Sequence, residues 1–265
     1  MQEWKVLLVR IIPETWIIPP VVDESILAKW AELGWISKED AEHLDRAFYR
    51  NKDGIAIITE HQLISCIHKA VEKLVDAEAG TDYYDQITEL QKQLLAEPNK
   101  EKRKEIESEI RKIVSERNSK FGALINQYKR NTKFRIVDFV RVGDKVYQVD
   151  KGYIEIFEPP AKTRLPVTMV DGGKSSEYLE ILHSGHELLF WVRVRNPVAF
   201  MRVLVFAGLS VGLGAKTARG YGRFFAESLS YDEFKPIKEI WKEVKAKERE
   251  EEKKGRNKRG NSKAY

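Results

Sequence analysis

The sequence predicts an α+β protein, on three observations. Residues 59–130 carry apolar positions at helical spacing, the stretch after Lys133 switches to a two-residue period, and short glycine-containing breaks separate its apolar runs. A chain of 265 residues buries a sizeable core without cross-links. Its 16 Gly and 9 Pro are too few for a collagenous or low-complexity polymer.

Each element has a local reason. Residues 4–12 form a β-branched run closed by Pro13, which reads as a buried strand. Residues 16–22, broken by Pro19-Pro20, read as an extended loop. Asp23 caps a helix over 24–33 that Gly34 stops, and Ser37-Lys38-Glu39-Asp40 opens a second one running to about Tyr49. Asn51-Lys52-Asp53-Gly54 is a turn before a short strand at 55–58. Thr59 then caps a helix whose Leu63, Ile64, Ile67, Ala70, Val71 and Leu74 share one stripe. Over 82–130, Tyr83, Ile87, Leu90 and Leu94 mark one amphipathic helix and Ile106 through Ile125 a longer one, split at Pro98-Asn99. This polar hairpin reads as an insertion. Strands follow at 134–142, 145–149, 153–157, 165–170, 178–183 and 188–194, with turns that include Gly172-Gly173 and Ser184-Gly185. Asn196-Pro197 opens a helix to about 209, a glycine-rich loop leads to a strand at 221–229, and Trp241 and Val244 lie on a charged helix.

The order is strand, helix, inserted helices, strands, helix, glycine-rich loop, strand. A split β-α-β arrangement of ferredoxin type fits it. The expected organisation is a single ferredoxin-like (RRM-related) domain over 1–230 with its helical insertion at 82–130. A C-terminal helix at 231–252 and a disordered tail at 253–265, positive in every charge, follow it.

Composition excludes several classes. One cysteine, Cys66, rules out a disulfide framework or a cysteine-based zinc site. The longest apolar stretches, such as 203–213, fall short of the roughly 20 residues of a membrane span, and the first residues lack a signal peptide's pattern. A cytoplasmic protein with no membrane partner is expected. The formal charge of +5 is uneven: residues 1–80 hold 14 acids and 9 bases, whereas 129–225 hold 9 acids and 16 bases, or +7. That excess in the strand-rich part suggests a polyanion docked on the sheet and its loops.

The stretch with most chemistry is 208–224, where five glycines alternate with small residues and with Lys216, Arg219 and Arg223. Gly212, Gly214, Gly220 and Gly222 would let the backbone approach a phosphate, with Thr217 beside them and Tyr221 or Phe224 free to stack a base. The same run also reads as a turn closing a helix against a strand. A P-loop is disfavoured because Ala215 stands where glycine must precede the lysine. A dinucleotide fingerprint fails because the helix precedes the loop.

This loop, between the last helix and the last strand, resembles the signature loop of the RAMP superfamily, the RNA-binding subunits of CRISPR interference complexes. Residues 180–194 followed by Asn196-Pro197 resemble that family's strand-turn-strand ahead of its last helix. The stretch 45–54, leading into Ile57-Ile58-Thr59-Glu60-His61-Gln62-Leu63, is similar to a segment of backbone subunits in type III complexes. The resemblance implies a ferredoxin-like core that binds guide RNA through Lys216, Arg219, Arg223 and loop amides, stacks with sibling RAMP subunits and meets a complementary target RNA. It further implies that Asp45 (with Asp40 as fallback) cuts bound target RNA with Mg²⁺ or a similar divalent ion. A carboxylate-held metal can stabilise charge on the scissile phosphate; Asp45 also reads as an ordinary surface aspartate.

Two other readings stay open. The same superfamily contains metal-independent enzymes that process repeat RNA with a histidine near the first helix. Here His61, His43 and His68 are placed for that, and the helix N-terminus favours the neutral imidazole of His61 as a general base. A ferredoxin-like RNA-binding protein outside CRISPR is the alternative of another class. His183-Ser184-Gly185-His186 reads as a turn rather than a metal pair, Cys66 as core, and Trp4, Trp30, Trp35, Phe139 and Trp191 as mostly core. Tyr147 and Tyr153 are candidates for stacking on a sheet face.

Overall fold

The computed structural model describes residues 3–157, 165–171 and 176–261. Chain order is β1 (Lys5–Pro13), α1 (Glu24–Glu32), α2 (Lys38–His43), β2 (Tyr49–Arg50), β3 (Ala56–Thr59), α3 (Glu60–Ala79), α4 (Tyr83–Ala96), α5 (Lys100–Asn131), β4 (Phe134–Val142), β5 (Lys145–Asp150) and β6 (Tyr153–Glu155). It continues with β7 (Val167–Asp171), β8 (Ser176–Glu180), β9 (Leu188–Val194), α6 (Pro197–Ser210), β10 (Phe224–Leu229) and α7 (Ile237–Asn261). The turn expected at Gly172-Gly173 lies outside the described residues.

Five strands make the main sheet in the order β10-β1-β9-β4-β5, every neighbouring pair antiparallel. In its register Leu8 sits opposite Trp191, and Ile136 opposite Val192. Smaller sheets join β2-β3-β6 and β7-β8. α3 and α6 lie on one face. Leu63, Cys66, Ile67 and Ala70 of α3 and Phe200, Val203, Leu204 and Ala207 of α6 pack there with Val9, Ile11, Ile136, Phe190 and Phe224. The caps read from sequence form: Asp23 accepts from the Ser25 N–H at 2.9 Å, and Thr59 and Gln62 make a reciprocal capping box on α3.

The opposite face is also covered. Leu8, Val137, Phe139, Leu189 and Trp191 pack under Ile237 and Ile240 of α7, with Tyr231 edge-on to Trp191 at 4.6 Å. The Trp191 indole N–H donates to the Lys235 carbonyl at 2.9 Å. Alternation along β9 is therefore erased, since both of its faces are buried. The final helix thus occupies the part of this face around β9, while Val140, Val142 and Val149 of the β4–β5 hairpin stay exposed. Tyr147 is exposed on the β4–β5 hairpin, and the Tyr153 ring lies beneath the Lys151 ammonium at 5.4 Å.

Two expectations are corrected. The helix expected over 37–49 ends at His43, because Leu44 leaves it in an extended conformation and residues 45–50 are drawn onto β8 and β3. The tail expected to be disordered from 253 continues as α7 to Asn261. Of the aromatics read as mostly core, Trp30, Phe139 and Trp191 are buried, whereas Trp4 and Trp35 are half-buried, and the guanidiniums of Arg193 and Arg195 lie over the Trp4 ring at 5.4 and 5.2 Å. No helix among the described residues is long and apolar enough to cross a membrane.

Candidate nucleic-acid interface

The glycine-rich loop follows α6, contains one 3-10 turn at Thr217–Arg219, and ends in β10. Its glycines are required by the chain itself. A Cβ on Gly208 would lie 2.0 Å from the Phe224 carbonyl oxygen, one on Gly214 2.4 Å from that of Ile18, and one on Gly222 2.3 Å from that of Leu213. Gly212, Gly214, Gly220 and Gly222 also have positive φ. Only around Gly220, among these five, would a Cβ meet open space.

Several loop amides are spent in the same way. Ala215 N–H donates to the Ile18 carbonyl at 2.7 Å, Leu213 N–H to that of Gly222 at 2.8 Å, and Gly222 N–H to that of Trp16 at 2.9 Å. Arg223 N–H donates to the Thr15 hydroxyl at 2.9 Å, and that hydroxyl donates to the Gly220 carbonyl at 3.1 Å. The loop is thus laced to the extended segment 15–18 rather than open as an anion-binding nest. The turn reading accounts for most of its glycines.

The cations divide into two kinds. Lys216, in a left-handed conformation at φ 55°, is mostly buried, with its ammonium 2.9 Å from a Glu177 carboxylate oxygen. The other oxygen of Glu177 accepts from Arg46 Nε at 2.8 Å. Burial pushes the Glu177 carboxyl up, but hydrogen bonds and charge from Arg46 and Lys216 outweigh that and hold its pKa below the ordinary value. Arg219 and Arg223 are exposed. Beside them Trp16, partly exposed, stacks on Tyr221 with planes 16° apart and centroids at 6.1 Å. Two arginines and an aromatic pair at one edge supply the charge and flat apolar surface that phosphates and unstacked bases need.

Asp45 lies in the connection between α2 and β2, exposed, and is joined to this edge through β8. Its carboxylate accepts from the Tyr178 N–H at 2.8 Å, while its own N–H donates to the Tyr178 carbonyl at 2.9 Å. Glu180, two residues on, accepts from the Phe48 N–H at 2.9 Å and pairs with Arg50. The structure therefore brings the Asp45 segment and the glycine-rich loop together on one strand, with Glu177 bridging Arg46 and Lys216. Sequence reading missed Glu177 and Glu180, whose position at the start of the strand read over 178–183 was the available signal.

Asp40 is buried in α2, where its carboxylate accepts from the Ser37 hydroxyl at 2.7 Å. His61 is exposed in the first turn of α3, and His43 at the end of α2. In the 183–186 turn, His183 Nδ1 accepts from the Gly185 N–H at 3.0 Å and His186 Nδ1 from the His183 N–H at 3.2 Å. Among the described residues no three metal-ligating side chains converge. The donor set at Asp45 is one carboxylate already holding a backbone amide, with Arg46 beside it. That set does not fit a divalent ion held by the protein alone.

No protein-family profile matches the chain, and no curated protein matches it. Among solved structures, it is similar to a chain of a Type IV-B CRISPR complex at 16% identity and a TM-score of 0.40, covering 88% of this chain and 95% of that one. It is also similar to the crystal structure of Cmr6 from Pyrococcus furiosus at 13% identity and a TM-score of 0.32, covering 86% of this chain and all of that one (100%).

Proposed function

We propose that this protein is a guide-RNA-binding subunit of a type III-like CRISPR effector complex, working in the cytoplasm beside sibling RAMP subunits. The core of the reading is β1-α3-β4-β9-α6-β10 taken as a ferredoxin-like unit. Its support is the antiparallel order β10-β1-β9-β4, with both helices on one face and the RAMP-like loop joining α6 to β10.

In this reading Arg219 and Arg223 hold guide-RNA phosphates and the Trp16–Tyr221 pair offers a stacking platform. Lys216 acts as a positioning residue that anchors the loop through Glu177. Asp45 ties the 45–50 segment to β8; the chain brings RNA to the complex, and the target strand pairs with that RNA.

Tagged protein recovered from its native host tests the proposal. Guide RNAs co-purifying with other RAMP subunits are expected. A lone protein carrying unprocessed repeat RNA would replace the proposal with the histidine nuclease. Absence of RNA would overturn RNA binding altogether.

A further inference from the structure

The inserted hairpin ends in a feature the RNA-loop reading does not use. Where α5 gives way to β4, a groove of about 460 Å³ opens against α3. Its floor is apolar, made by Ile64, Ile67 and Phe134. Its rim carries Lys129, Arg130, Lys133 and Arg135, with no acidic side chain in the wall. Four cations within 129–135 make this one of the densest basic stretches of the chain.

Two of these cations are committed. Lys129 lies 2.7 Å from Glu72, which also takes Arg117 at 3.0 Å; Arg135 lies 2.6 Å from Glu60, which also accepts the Ile136 N–H at 2.7 Å. The other two, Arg130 and Lys133, are exposed, and no carboxylate among the described residues lies within ion-pair distance of either. The end of α5 presents carbonyls, which would repel an anion. Lys129 and Arg130 in its last turn offset this, and the Thr132 hydroxyl donates to the Tyr128 carbonyl at 2.9 Å. His68, on the α3 wall, has its pKa lowered by burial and next by the charge of Lys129, with Glu72 opposing.

Beyond the groove the outer face of α5 carries Ala123, Gln127 and Asn131, with Asn126 and Arg130 shared between this face and the groove. Arg130 thus stands where the groove runs out onto the helix surface. A groove that continues along a helix face with a cation at the junction suits a ligand with repeating anionic groups and flat apolar units between them. Amide side chains suit the edges of such units.

We propose that this groove is a second RNA-binding site, in which Arg130 and Lys133 hold successive phosphates of a single strand and Ile64 lies under a base. The proposal rests on RNA as the partner class but not on the glycine-rich loop. A free nucleotide would occupy the groove alone, a strand the groove and the adjoining face of α5.

The test is fluorescence anisotropy with a labelled single-stranded RNA, with unlabelled uridine monophosphate and polyglutamate as competitors. It compares the intact protein with an Arg130→Ala/Lys133→Ala variant and an Arg219→Ala/Arg223→Ala variant. Both substituted pairs are exposed, and thermal melts confirm that each variant folds. The groove variant is expected to bind RNA about tenfold more weakly, with its salt slope smaller by about 1.4, at about 0.7 per phosphate contact on a single strand. Loss in the groove variant alone supports this site and overturns the loop reading; loss in the loop variant alone does the reverse. Uridine monophosphate competing as well as unlabelled RNA overturns the strand proposal in favour of a mononucleotide site. Equal competition by polyglutamate overturns it in favour of an acidic partner. Failure of the intact protein to bind RNA overturns both sites.

Discussion

At the scale of single residues, the glycine-rich loop separates two uses of glycine. Gly222 sits with its α-carbon against the Leu213 carbonyl, whereas Gly220 faces open space, and both have positive φ. Gly222→Ala adds a steric clash to the left-handed penalty and is expected to lower stability by about 3 kcal/mol or more. Gly220→Ala incurs only the conformational term of about 1–2 kcal/mol. Chemical denaturation of the two variants checks this; equal losses would show that the close approach is not limiting. Cys66 is a second case. Burial pushes its thiol up to about 12, and its S–H donates to the Gly212 carbonyl at 3.2 Å. Iodoacetamide at pH 8 is expected to label it far more slowly in the native protein than in urea, since the thiolate is the nucleophile. His186 gives a pH signature. Burial, then the charge of His183, lowers its pKa from 6.5, and its Nδ1 is occupied as an acceptor. The folded state thus favours the neutral ring. Stability from this group is complete above pH 6.5 and falls as pH drops below it, because the unfolded chain takes up the proton first. His186→Gln is expected to lose less Tm between pH 7.5 and 5 than the parent; a larger loss would reverse the assignment.

At the scale of elements, legibility followed the range of the interactions responsible. α1 and α3 were readable because their caps, Asp23 and the Thr59–Gln62 box, lie within three residues of their helices. α2 was overextended because what ends it is distant: Tyr178 binds the backbone of Asp45, and Glu180 takes the Phe48 amide. No local signal between 44 and 49 announces partners more than 130 residues away in sequence. The candidate loop was legible in position but not in purpose. Its cations and glycines stand out in the sequence, yet only packing reveals that Lys216 is committed to Glu177 and that Gly214 backs onto Ile18. This commitment makes Lys216 a test of the element. Lys216→Met leaves a half-buried carboxylate with Arg46 as its remaining cation and is expected to cost about 1–3 kcal/mol. The effect on thermal stability should therefore exceed the effect on RNA affinity per charge removed. A variant with unchanged Tm and lost RNA binding would return Lys216 to the ligand-contacting set.

At the scale of the whole molecule, both faces of the central strand β9 are covered, and under the proposed function this narrows where a polyanion can dock. The helices α3 and α6 bury one face; α7 with Tyr231 and Phe234 buries the other, where Trp191 is the central side chain. The two proposed RNA sites lie at the rims: the α6–β10 loop at one side of α3 and the α5–β4 junction at the other, α3 touching both through Cys66 and through Ile67 and His68. Truncation after Ser230 tests that division. It uncovers Leu8, Val137, Phe139, Leu189 and Trp191, and at about 1.5–3 kcal/mol per large apolar side chain the loss matches the entire 5–15 kcal/mol of a typical fold. The truncated chain is therefore expected to bind a hydrophobic dye and to lose its cooperative melt. If it instead melts cooperatively near the parent's Tm and gains RNA affinity, the face under α7 is a binding surface that the final helix covers, and the rims are not where the RNA is held.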